Sequence, residues 1–129
     1  MQHTGHMEIW INPECSKCQT AVSSLDEAGV EYTVRRYLDD PPSVAELKAV
    51  VARLALEPWD IVRMNEAIAA EIGLASWERD DASREQWFEA MVANPQLIQR
   101  PIITASDSTT RVARDAQSLE AMISAEQNT

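Results

Sequence analysis

Glu8-Ile9-Trp10-Ile11-Asn12-Pro13-Glu14-Cys15-Ser16-Lys17-Cys18 sets an apolar run, a sharp break and two cysteines in direct succession. The run Glu8-Ile9-Trp10-Ile11 has the length and composition of a short strand, and Asn12-Pro13 closes it in a tight loop. From Ser16 the apolar residues recur at helical spacing. Ala21, Val22, Leu25 and Ala28 share one face, and Gly29 supplies a C-terminal stop. Val30 to Tyr37, with Tyr32, Thr33 and Val34, predicts a second strand. Two strands joined through a helix are normally parallel, with a right-handed crossover. The cysteines therefore fall where the first strand hands over to the first helix.

Downstream, Asp39-Asp40-Pro41-Pro42 breaks the chain, and Ser43-Val44-Ala45-Glu46 has the spacing of a capping box. The helix it opens carries Val44, Leu47, Val50, Val51 and Leu54 on one stripe. A further helical stretch is expected from about Pro58 to Gly73. Another is expected from the box-like Ser83-Arg84-Glu85-Gln86, with Trp87, Phe88, Met91 and Val92 facing inward. Pro101-Ile102-Ile103-Thr104-Ala105 and Thr110-Arg111-Val112-Ala113 flank the turn cluster Ser106-Asp107-Ser108-Thr109 and predict a hairpin. A last helix with Leu119, Met122 and Ile123 follows. The order β-α-β, helical insertion, β-β-α is an α/β class with a thioredoxin-like mixed sheet and a helical insertion between strands 2 and 3. A single domain is expected over residues 7–125 with the insertion at about 41–98. Residues 1–6 are expected to be a tail or cloning remnant.

The chain has 129 residues, 45% of them apolar and 25% charged, which suits one globular domain with its own core. No apolar run approaches the ~20 residues needed to span a bilayer, and no secretory signal is visible. A cytoplasmic protein with no membrane partner is expected. A net charge of −10 argues against nucleic acid as a partner, because phosphate binding needs a basic face. A small anion is still compatible, since a few local arginines create a positive pocket in an acidic protein.

Cys15 and Cys18 are the only cysteines. A loop of that length constrains little of the unfolded chain, so the pair reads as redox or metal chemistry rather than as a staple. Metal is the weaker option, because zinc usually takes four ligands and the only histidines, His3 and His6, sit in the polar tail. No metal is expected. A thiol attacks as its thiolate, and Cys15 stands just before a helix whose N-terminal N–H groups and dipole favour negative charge. Lys17 adds a positive charge nearby, Glu14 works against it, and no histidine is at hand as a base. Cys18, one helical turn on, either resolves a mixed species formed at Cys15 into a disulfide or is a small residue on the buried side of the helix.

With Asn12-Pro13-x-Cys15 in place, the sequence resembles the arsenate reductase (ArsC) family of the glutaredoxin-coupled type. The other markers, in order, are Tyr37-Leu38 with Pro41-Pro42, Arg63 in Ile61-Val62-Arg63-Met64-Asn65, Asn94-Pro95 followed by Arg100-Pro101-Ile102-Ile103, and Arg111-x-x-Arg114. The resemblance spans Ile9 to about Ile123. It implies that Cys15 is the nucleophile that attacks arsenic and that Arg63, Arg100 and Arg114 hold the oxyanion and stabilise the thiolate. Guanidinium groups suit that task, because they bind such oxygens through paired, charge-assisted bonds. It further implies that Asn12 and Pro13 shape the loop, and that Pro101 is a cis-proline facing it. No bound cofactor is implied, but an external thiol reductant is, glutaredoxin- or thioredoxin-like, acting on a monomer. Each arginine taken singly also fits a surface ion pair.

Three positions depart from the family pattern. Ile11 stands where a histidine is often found, Cys18 where many members have serine, and Asp115 where a proline often follows the last arginine. Two alternatives accompany an arsenate reductase: a general thiol–disulfide reductase using Cys15 and Cys18, and a redox-sensing transcriptional regulator similar to Spx, which shares the fold but acts by binding RNA polymerase. Cys18 favours the regulator and Arg114 disfavours it.

Overall fold

The structure is a computed structural model and describes residues 7–128. His3 and His6, with the expected tail at residues 1–6, lie outside the described residues, as does any metal site drawing on those histidines. The chain divides into two compact units: the segment ending at Asp40 joined by that beginning at Arg100, and Pro41–Gln99.

The first unit is built on the strands β1 (Met7–Ile11), β2 (Tyr32–Arg36), β3 (Ile102–Thr104) and β4 (Thr110–Val112), in the order β2-β1-β3-β4. β1 runs parallel to β2, with Ile9 opposite Val34, and antiparallel to β3, with Ile9 opposite Ile103. β3 and β4 form the expected hairpin. Helices α1 (Ser16–Ala28) and α5 (Ala116–Gln127) complete this unit. Strand alternation sends Met7, Ile9 and Ile11 to one face, where they share a core with Ala21 and Leu25 of α1, Ile103, and Leu119 and Met122 of α5. Gly29 ends α1 in the left-handed region (φ 72°), and its N–H returns to the carbonyls of Leu25 and Asp26.

The second unit holds α2 (Val44–Leu54), α3 (Ala67–Glu71) and α4 (Arg84–Ala93), linked by single turns of 3-10 helix at Pro58–Ile61, Leu74–Ser76 and Pro95–Leu97. The capping box forms as expected. Ser43 Oγ accepts from the Glu46 N–H (3.1 Å), and the Glu46 carboxylate accepts from the Ser43 N–H (2.9 Å). α2 packs on α4, and Leu47, Val50 and Val51 meet that contact from the predicted stripe. Trp87 of α4 is fully buried, with Trp59 and Trp77 edge-on to it at 6.0 and 5.4 Å.

Two expectations fail in this unit. The stretch from Pro58 to Gly73 is not one helix, because its middle is extended and spends its hydrogen bonds elsewhere. Val62 bridges Ile98, the Arg63 N–H donates to the Leu97 carbonyl (2.7 Å), and the Gln99 N–H donates to that of Ile61 (2.9 Å). Ser83 makes no box, since its hydroxyl donates to the Glu78 carbonyl (2.7 Å) instead of capping α4.

Candidate active site

The loop between β1 and α1 is shaped by Asn12. Its side-chain oxygen accepts from the Glu14 N–H (2.9 Å), its carbonyl accepts from the Cys15 N–H (3.0 Å), and Gln19 ties the Pro13 carbonyl to α1 (3.0 Å). An asparagine can close such a turn with its own side chain, and Pro13 restricts it further. The product is Cys15 at the N-cap of α1, partly exposed, in extended conformation and with no side-chain capping bond. Helix N-termini leave backbone N–H groups without intrahelical partners. Here these groups face the sulfur.

Cys15 and Cys18 are both free thiols, and Cys18 is completely buried in the core beneath the loop. Their environments push them apart. Partial burial pushes the Cys15 thiol up. The Cys18 N–H, the Arg100 guanidinium, the Cys18 thiol and the Lys17 N–H outweigh it and bring Cys15 down to about 7. Cys18 is pushed up to about 12, first by burial, with the Asn12 backbone acting against this and the Cys15 sulfur adding to it through its hydrogen bond and charge. Cys18 also borders an open pocket of about 300 Å³ with Ile11, Pro13, Gln19, Val22 and Ser23, none of them charged. The pair thus contains one thiol ready to ionise near neutrality and one held protonated beside it.

Arg100, two residues before β3, is brought to this loop by the antiparallel pairing of β3 with β1. It is raised above its ordinary value: burial works against its charge, and Cys15 and Tyr37 outweigh that by hydrogen bonding and charge. Arg100–Pro101 is a cis peptide, as the resemblance implied. Arg114 is engaged with the same segment, donating from Nη1 to the Arg100 carbonyl (2.6 Å). Arg63 belongs to the Pro41–Gln99 unit, where its guanidinium donates to the Glu66 carboxylate (3.3 Å) and to the Gln99 side chain (3.1 Å).

Three further points refine the expectations from sequence. Asp115 caps α5, its carboxylate accepting from the Ser118 N–H (2.7 Å), and this bond holds it below the usual carboxylate range. Lys17 reaches Cys15 through its backbone N–H. Tyr37, a family marker at the end of the second expected strand, is a fully buried residue hydrogen-bonded to Arg100. The available signal was a hydroxyl-bearing aromatic at a strand end, because a buried tyrosine hydroxyl demands a polar partner. Among the described residues, no group of three or more His, Cys, Asp or Glu side chains is placed to hold a metal ion. No helix among them is long and apolar enough to cross a membrane.

The family model of the ArsC family matches residues 10–122, nearly the whole of the sheet, the cysteine loop and all the arginines above. The chain belongs to the ArsC family. A protein of Streptomyces viridochromogenes, known as an uncharacterized protein in the glnII region, is 54% identical over 118 residues, which is 92% of this chain and 99% of that one. An arsenate reductase of Neisseria meningitidis serogroup A is 31% identical over 118 residues, covering 91% and 97% of the two chains. Among solved structures, the arsenate reductase from Vibrio cholerae superposes with a TM-score of 0.81 at 30% identity, covering 92% and 99%. The ArsC fold of this chain is thus the thioredoxin-like mixed sheet with helices expected from its element order. Its kinship lies with arsenate-reductase-like members, and these relatives do not favour the regulator alternative.

Proposed function

We propose that this ArsC-family protein is an oxidoreductase that reduces arsenate, with Cys15 as the nucleophile. The observation that carries the proposal is the Cys15 sulfur at a helix N-terminus with the Arg100 guanidinium beside it, in a chain whose relatives include arsenate reductases. The same guanidinium that favours a thiolate would bind an oxyanion through charge-assisted bonds. Arg114 is a further oxyanion ligand in this reading. A guanidinium has five N–H donors, so the bond from Arg114 to a carbonyl does not exhaust it.

In the first step the Cys15 thiolate attacks arsenic, a sulfur–arsenic bond forms, and one arsenate oxygen leaves as water after taking up protons. In the second step a thiol attacks the Cys15 sulfur. The sulfur–arsenic bond breaks with its electron pair left on arsenic, which becomes As(III), and a disulfide forms. In this reading Cys18 is that second thiol: it gives its proton to an arsenic-bound oxygen and closes a Cys15–Cys18 disulfide. An external dithiol, glutaredoxin- or thioredoxin-like, then returns the pair to the reduced state. No bound cofactor takes part. The cytoplasm, where thiols are kept reduced, is the compartment that suits this cycle.

Arsenite production by wild type, Cys15→Ser and Cys18→Ser, with glutathione plus glutaredoxin or with thioredoxin as donor, tests the proposal. Wild type is expected to turn over and Cys15→Ser to be inactive. Absence of arsenite with every donor would overturn the arsenate reading, and full activity of Cys18→Ser would remove the resolving role alone.

A further inference from the structure

The Arg100 guanidinium hydrogen-bonds with two side chains, the Cys15 thiol and the Tyr37 hydroxyl. The backbone of the same residue is fixed separately, by the bond from Arg114 to its carbonyl. Tyr37 follows β2 directly and has no exposed surface. Its ring lies 6.4 Å from that of Trp10 on β1, and Trp10 in turn has the Arg35 guanidinium over its face at 5.4 Å. A tyrosine so enclosed cannot swing, so its hydroxyl is a fixed acceptor for an arginine N–H. A phenylalanine would fill the same space. The hydroxyl is therefore the part of Tyr37 that packing leaves unexplained.

We infer that Tyr37 is a positioning residue, whose hydroxyl holds the Arg100 guanidinium against the Cys15 sulfur and so sets how readily that thiol ionises. An arginine side chain has several rotatable bonds and loses considerable entropy when fixed. A second partner for the guanidinium prepays that loss, and the charge then sits at the sulfur before any anion arrives. The charged and titratable groups of this unit that act on Cys15 are Arg100 and Cys18, with the backbone N–H groups of Lys17 and Cys18. In this inference Tyr37 acts on it through Arg100.

The inference rests on Cys15 being the reacting thiolate of the proposed function. Its test needs no arsenate, so the two stand or fall separately. The readout is the pH dependence of Cys15 alkylation by iodoacetamide, followed by mass. Tyr37→Phe is expected to raise the midpoint by roughly half a unit to one unit, the size of one lost charge-assisted bond, while thermal unfolding confirms an intact fold. In an Arg100→Gln background the same substitution is expected to add no further shift, because the hydroxyl then has no guanidinium to hold. Tyr37→Leu serves as the second variant and is expected to move the midpoint at least as far as Tyr37→Phe. An unchanged midpoint in Tyr37→Phe overturns the inference. So does an equal shift with and without Arg100, which would mean that Tyr37 acts through packing.

Discussion

Two helix N-termini in this protein are finished in opposite ways. α2 begins with Ser43 in a closed capping box, each partner satisfying a backbone N–H of the other. α1 begins with Cys15, whose side chain closes no capping box, and its first-turn N–H groups face a sulfur whose pKa they help to lower to about 7. Serine, threonine, aspartate and asparagine are the residues that stabilise such a position, typically by about 1 kcal/mol over a non-capping side chain. α1 forgoes that stabilisation. The difference teaches that capacity for negative charge at a helix start can be used up by the fold or held back for chemistry, and this chain does one at each helix.

The largest expected effect comes from turning the first terminus into the second. Cys15→Ser places a good cap on α1. Arsenite formation is predicted to fall about a thousandfold or more, to background, because no other thiol replaces the nucleophile. Stability, measured by urea unfolding at pH 6 where the thiolate is scarce, is predicted to stay level or rise by up to about 1 kcal/mol. A Cys15→Ser protein that is both inactive and markedly less stable would show that the sulfur was part of the packing, and the contrast with Ser43 would dissolve.

A second way to sharpen the contrast is to keep Cys15 and remove its cation. In Arg100→Gln the backbone N–H groups of Lys17 and Cys18 remain, but the guanidinium does not. The alkylation midpoint is predicted to climb from about 7 towards 9. A rise of one unit lowers the thiolate fraction at pH 7 about fivefold, and the iodoacetamide rate with it. If the midpoint does not move, the helix terminus alone activates the thiol.

The reverse control is Ser43→Ala, which opens the box on α2. It is predicted to cost about 1 kcal/mol in urea unfolding and to leave the Cys15 midpoint untouched. A shifted midpoint would mean that the finish of α2 reaches the chemistry of α1.

These elements also differ in how far the sequence exposed them. The box at Ser43 was legible because Pro41-Pro42 stops the chain just before it and an unbroken apolar stripe follows. The equally box-like Ser83 was misleading, because its hydroxyl sits in a nearly buried turn and is claimed by the Glu78 carbonyl. No local pattern announces that acceptor. Cys15 at the helix start was legible from strand, break and helix in succession, and Arg100 only through the family resemblance. The paired use of Arg100 by Cys15 and Tyr37 was not, because it joins three segments far apart in the chain. The break at Val62 has the same origin, since its partner Ile98 lies 36 positions downstream and long-range pairing overrides helical periodicity.

The smallest predicted effect is the pH dependence of stability, and it separates the two cysteines. Cys15 is lowered to about 7 from an ordinary value of 9.0, so between those values the unfolded chain binds more protons than the folded one. Its contribution to stability is complete above pH 9 and is lost as pH falls through 7. Cys18 is raised to about 12 from the same starting value, so its contribution is complete below pH 9 and is lost as pH rises towards 12. The two together make a rise between pH 7 and 9 followed by a fall. The slope of the rise should be on the order of a few tenths of a kcal/mol per unit, because solvent screening at the partly exposed Cys15 sulfur trims the full value. Urea unfolding under reducing conditions at pH 6.5, 8.5 and 10 checks this. Cys15→Ser should lose the rise, and also part of the fall, since the Cys15 charge helps to raise Cys18. Cys18→Ser should lose the fall and keep the rise. If wild type and Cys15→Ser run parallel from pH 6.5 to 8.5, the N-terminus of α1 is not holding a thiolate, and it differs from that of α2 only in lacking a cap.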